Sequence, residues 1–130
     1  MQDKQIVFWN DQQNTIPNHL LFSDIADKRA EIISKYDKKF NNYSQIRKFY
    51  DEVIRINTLA KHEKWEHILP MVHMLNAKAA YAKGRKLITD EFLDDIKSCV
   101  KQVNQIKDLQ LFANYFEAFM GYYKSYRPKD

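Results

Sequence analysis

Histidines, paired acids and one cysteine are the side chains in this 130-residue sequence that could do catalytic or metal chemistry. Their spacing argues against each use. His62-Glu63-Lys64-Trp65-Glu66-His67 approaches a zinc-protease motif, but its second histidine falls at i+5 where that motif needs i+4. On a helix, five residues are about 140° of rotation, which sends the two rings to different faces. His73, further along, does not complete a set. Asp94 and Asp95 are adjacent, so on a helix they diverge by about 100° and cannot share a metal or a substrate unaided. Cys99 falls beside the Ile96–Val100 stripe and reads as a small buried apolar residue, not a nucleophile. Gly84 and Gly121 each stand alone, which leaves no phosphate-cradling loop. The expectation is a chain with no enzymatic activity, no metal site and no cofactor.

The basic residues point elsewhere. The formal net charge is +4 and the isoelectric point about 9.1, just past the level at which a basic domain suggests nucleic acid. Between Lys78 and Lys86 lie Lys78, Lys83, Arg85 and Lys86 with no acid among them. Lys78 and Arg85 are seven apart and share a helix face if the helix persists that far. Lys83, Arg85 and Lys86 cluster where a helix C-terminus favours cations, so the dipole alone could account for much of that group. It does not account for Lys78, inside the helix, nor for Arg47-Lys48 at the start of another, where the dipole disfavours positive charge. Phosphate contact is a reason to place cations there. A handful of such contacts gives an affinity of only about 10⁻⁴ to 10⁻⁶ M, so a single copy binds weakly and several copies along one strand bind tightly.

The elements that must position these residues are helices. Two glycines and three prolines leave little turn chemistry for a many-stranded fold, and 45% hydrophobic with 14% aromatic residues suffices for one core. The expected architecture is all-α, a single-domain bundle of about five helices, with residues 1–20 an irregular segment and 21–130 the bundle. Ile16-Pro17 breaks any early helix. Ser23 caps a first helix to about Phe40, with Ile25, Ile32, Ile33 and Tyr36 inward. After an Asn41-Asn42 turn, Ser44 caps a second, carrying Ile46, Phe49, Tyr50, Val53 and Ile54 at helical spacing with Arg47–Asp51 and Lys48–Glu52 pairs. A third spans about Trp65–Lys83 on Ile68, Val72, Leu75 and Ala79. Pro70 opens or kinks it, and Gly84 is a natural left-handed cap. Thr89 caps the fourth, and the acids Asp90, Glu91, Asp94 and Asp95 read as complements of its dipole. The fifth, about Asp108–Tyr126, has one face of Leu109, Phe112, Phe116, Phe119, Met120 and Tyr123. Its other face carries Leu111, Tyr115, Tyr122 and Tyr126, to be covered by its own core or by another chain.

A lone cysteine excludes an internal disulfide framework and suits the reducing cytoplasm. The apolar cluster Ile6-Val7-Phe8-Trp9 is too short for a signal core or a membrane span, and Asp3 stands where a signal would carry positive charge.

Three segments in order carry a family resemblance: Ser44-Gln45-Ile46-Arg47-Lys48-Phe49-Tyr50; Lys78 with Tyr81-Ala82 and Gly84-Arg85; and Phe112 with Phe116-Glu117-Ala118 and Tyr122-Tyr123-Lys124. Over roughly Ser44–Lys124 the chain resembles the small subunits of type III-A CRISPR–Cas effectors, the Csm complexes. The resemblance implies a non-catalytic, all-helical protein stacked along a filament of backbone subunits. It would touch the large subunit and copies of itself, a homodimer included, and hold guide RNA and target RNA by their backbones. Arg47, Lys48, Lys78 and Arg85 fall on the family's motif positions as RNA contacts. Lys83 and Lys86 join them from local charge alone, with Arg55 and Lys61 behind. Arg47 has a structural alternative, pairing with Asp51 or with Glu117. A different class remains open: a small helical DNA-binding regulator reading bases with Gln45 and Arg47 from a Ser44–Ala60 helix.

Overall fold

The computed structural model describes residues 5–129; Asp3, in the signal argument above, lies outside them. Among the described residues five α-helices form one bundle without a sheet: α1 (Ala26–Ser34), α2 (Tyr43–Leu59), α3 (Trp65–Gly84), α4 (Asp90–Lys101) and α5 (Ile106–Tyr126). A π-helical turn, Leu21–Ile25, leads into α1. Among the described residues no helix is long and apolar enough to cross a membrane.

α5 is the hub. Its aromatics repeat every three or four residues, so they line one side, where Phe112 stacks on Phe116, Phe116 meets Phe119 edge-on, and Phe119 stacks on Tyr123. Phe92 of α4 meets this column at Phe116 and Phe119, and Tyr50 of α2 meets it edge-on at Phe116. α1 and α2 pack on α5, while α3 packs on α4 and touches α2. The second face of α5 is covered in part by the chain itself, with Tyr122 half-buried and Tyr126 exposed. Leu111 and Tyr115 are buried within the chain, and the Tyr126 hydroxyl donates to Asp27 of α1.

The irregular segment contributes to the core despite its polarity. Phe8 is fully buried against Phe112. Gln102 holds the strand-like stretch by accepting from the Phe8 amide and donating to the Ile6 carbonyl, while Trp9 Nε1 donates to buried Asp108 at 2.8 Å. That same aspartate closes the N-terminus of α5 as half of a capping box with Gln105.

Helix ends depart from expectation where distant residues decide them. α1 stops at Ser34, not Phe40, because Arg127 reaches back to donate to the carbonyls of Ser34, Tyr36 and Phe40. Tyr36 therefore lies beyond the helix and is exposed rather than inward. Ser23 does not cap it, since the chain is already in the π-turn there. α2 begins at Tyr43, with Asn42 in the cap position, so Ser44 is a first-turn residue. α3 carries Pro70 in its second turn, where the missing amide removes the partner of the Glu66 carbonyl. Its end is a Schellman motif centred two residues later than expected. Lys86 adopts φ 61°, its amide donates to the Lys83 carbonyl, and the Leu87 amide donates to that of Ala82. Gly84 is simply the last helical residue.

Asn41 locks the α1–α2 corner. It takes φ 58°, which asparagine tolerates, and is fully buried. Its side chain donates to the Ile33 carbonyl and Thr89 Oγ1 and accepts from the Thr89 amide. Its own carbonyl accepts from the Tyr123 hydroxyl. One residue thus joins the end of α1, the start of α4 and the end of α5.

Candidate nucleic-acid interface

Helices α2 and α3 leave an open groove between them, lined by Gln45, Lys48 and Glu52 on one side and Lys78, Tyr81 and Arg85 on the other, with Phe49, Ala82 and Leu87 at its floor. The helical period explains the set. Positions 45, 48, 49 and 52 are one ridge of α2, and positions 78, 81, 82 and 85 one ridge of α3. Phe49 and Ala82 are the buried members that hold the two ridges together.

Three of the six cations expected to contact RNA meet here: Lys48, Lys78 and Arg85. Lys78 Nζ lies 2.9 Å from Glu52 Oε2, and Arg55 grips the same carboxylate at 2.6 Å. The hydrogen bonds from Arg55 and then Lys78 outweigh burial and hold the Glu52 carboxyl down at about 2. The anticipated Lys48–Glu52 pair is absent; Arg55 and Lys78 hold that carboxylate instead. Lys48 and Arg85 make no ion pair with any described residue. Arg85 instead lies over the Tyr81 ring, 5.8 Å from its centroid.

The other three cations lie elsewhere. Arg47 is exposed on α2, paired with Asp51 at 3.2 Å and over the Tyr50 ring at 5.8 Å, so the Asp51 pairing holds and the Glu117 one does not. Lys83 and Lys86 border a separate hollow with Tyr36, Phe40 and Asp90, and Lys83 reaches Asp90 at 3.3 Å. Arg55 is engaged by Glu52, and Lys61 lies on the α2–α3 connection.

The acids after Thr89 do more than complement a dipole. Thr89 caps α4 through the Phe92 amide, but Glu91 and Asp95 face α1 and clamp Arg29, which is 4% exposed, at 2.5 and 2.7 Å. Asp94 points to solvent, as its 100° offset requires. One guanidinium cannot compensate two carboxylates. Burial, with Glu91 and Asp94 adding, outweighs Arg29 and pushes the more enclosed Asp95 up to about 7. Cys99 is buried beside this cluster, and burial pushes its thiol well up. His62 lies on the loop before α3 and His67 in its first turn; no group of three or more potential ligands occurs among the described residues. Tyr81 is the groove residue that sequence reasoning missed as a site. Its signal was the i, i+4, i+7, i+11 stripe of Met74, Lys78, Tyr81 and Arg85, which mixes large apolar groups and cations on one helix face.

The described residues thus form a small basic all-helical bundle with a cation-lined groove between α2 and α3. Residues 18–129 match the family model described as Csm2 type III-A. A Streptococcus thermophilus protein, "CRISPR system Cms protein Csm2", is 27% identical over 115 residues, covering 84% of this chain and 93% of the relative. No solved structure is a significant match. The chain belongs to the Csm2 type III-A family, the small subunits of the Csm complex. The DNA-binding regulator is not favoured. The α1–α2 connection, residues 35–42, is also longer than the turn of about 3–4 residues that such a motif uses.

Proposed function

We propose that this chain is a non-catalytic small subunit of a cytoplasmic type III-A effector and holds RNA in the α2–α3 groove. Lys48 and Arg85 supply the primary phosphate contacts. Lys78 is a third cation whose charge is released when phosphate displaces it from Glu52. Arg47 lies on the adjoining face of α2, and Lys83 and Lys86 extend the positive surface past the end of α3. Guide RNA and target RNA are the ligands, and the backbone and large subunits, with further copies of this chain, are the protein partners. The observation that supports this most is the pair of cations without acid partners, Lys48 on α2 and Arg85 just past the end of α3, facing one groove in a chain of this family. Cations left without acid partners on a folded surface are free to meet phosphate, and stacked copies multiply weak contacts through effective concentration.

The charge-swap variant Lys48→Glu/Arg85→Glu tests this. Both side chains are exposed in the groove, so the fold should persist by circular dichroism. Binding to RNA should weaken at least tenfold for every sequence alike, and the slope of log affinity against log salt should fall by about 2. Unchanged affinity and slope would overturn the assignment.

A further inference from the structure

We infer that Tyr81 is a stacking platform for an unpaired RNA base, so that the groove recognises single-stranded nucleotides and not only a phosphate backbone. This deepens the reading above and rests on it. Tyr81 is 68% exposed, the most exposed large hydrophobic side chain described, on a helix that buries Ile68, Val72, Leu75 and Ala79 on its other side. Folding alone gives no reason to keep an aromatic ring in water at this position. Arg85 lies over the ring, and two cations, Lys48 and Lys78, line the same groove. Met74, 53% exposed, continues the stripe one further step along α3.

That combination is a cationic channel with an aromatic face set into it, which is how proteins hold single strands without reading sequence. A ring this bare presents a π-face that a base can cover. Bases inside an A-form duplex are already stacked and paired, so a side-chain ring reaches only an unpaired or extruded one. Phosphates on either side of that base would fall to Lys48 and Arg85, the two cations without acid partners. Gln45, on the α2 wall, offers an amide to the base edge.

The test uses single-stranded and duplex RNA of the same length, the single strand carrying one 2-aminopurine whose fluorescence reports stacking. Wild type should quench the 2-aminopurine and prefer the single strand. Tyr81→Ala should lose the quenching and bind the single strand about tenfold more weakly, with duplex binding little changed, while Tyr81→Phe should behave as wild type. If Tyr81→Ala binds as wild type while Lys48→Glu/Arg85→Glu loses affinity, stacking is overturned and the backbone-contact reading stands. If Tyr81→Ala weakens duplex and single strand equally, the base-specific role is likewise overturned. If neither variant changes binding, the groove is not the RNA site and both proposals fall.

Discussion

Asp95 and Glu52 are two carboxylates whose ionisation the fold alters in opposite senses. Glu52 is held near 2 by Arg55 and Lys78, below its ordinary value of 4.5. It therefore contributes stability that is complete above about pH 4.5 and lost as pH falls through 2. Asp95 is pushed from 3.8 to about 7. Its contribution is complete below about pH 4 and is lost as pH rises through 7, since the unfolded chain releases that proton earlier. Thermal midpoints should therefore fall between pH 5 and pH 8 in the wild type, and Asp95→Asn, which cannot ionise, should flatten that limb. An identical pH profile for the two proteins would show that Arg29 keeps Asp95 ionised throughout. This cluster was hidden in the sequence because Arg29 and Asp95 are 66 residues apart; the acids after Thr89 have a sufficient local explanation in the dipole. Lys48, Lys78 and Arg85 could be placed on one surface because helical period fixes which positions share a ridge. Arg55, at i+3, was a local competitor for Glu52, but nothing local said that Lys78, 26 residues away, would join it and leave Lys48 free.

Helices were legible as periodic stripes, and their ends were not. Ile68, Val72, Leu75 and Ala79 in α3, and Phe92, Ile96, Val100 and Val103 running through α4 and just past it, are all buried as their spacing requires. Boundaries depend on partners brought from far along the chain: Arg127 terminates α1, and Asn41 fixes the corner between α1 and α2. At the end of α3 a glycine was the natural cap, yet Lys86 takes the left-handed position two residues on, at a cost of about 1–2 kcal/mol. Gly84 consequently serves no conformational purpose, and a Cβ there meets nothing within 4 Å. Gly84→Ala should stabilise the protein by about 0.5–1 kcal/mol in denaturant unfolding, through a higher midpoint at constant slope. Destabilisation would mean that the α3 terminus relies on glycine after all.

At the scale of the molecule, the bundle divides its work between two regions. α5 is enclosed by α1, α2 and α4 and by Phe8 of the irregular segment, so the aromatic column is wholly internal. α3 lies outside that column, packed on α4 and lightly on α2, and its outward stripe is the one that combines bare apolar groups with cations. A subunit built this way keeps its rigid core away from the surface proposed to meet RNA. The most direct check of that arrangement is photocrosslinking in the assembled effector, with benzoylphenylalanine replacing Gln45 on the groove wall and, as a control, exposed Lys97 of α4. A covalent adduct to guide or target RNA is expected from position 45 and none from position 97. Protein adducts alone from position 45, in a complex that still carries its RNA, would contradict it.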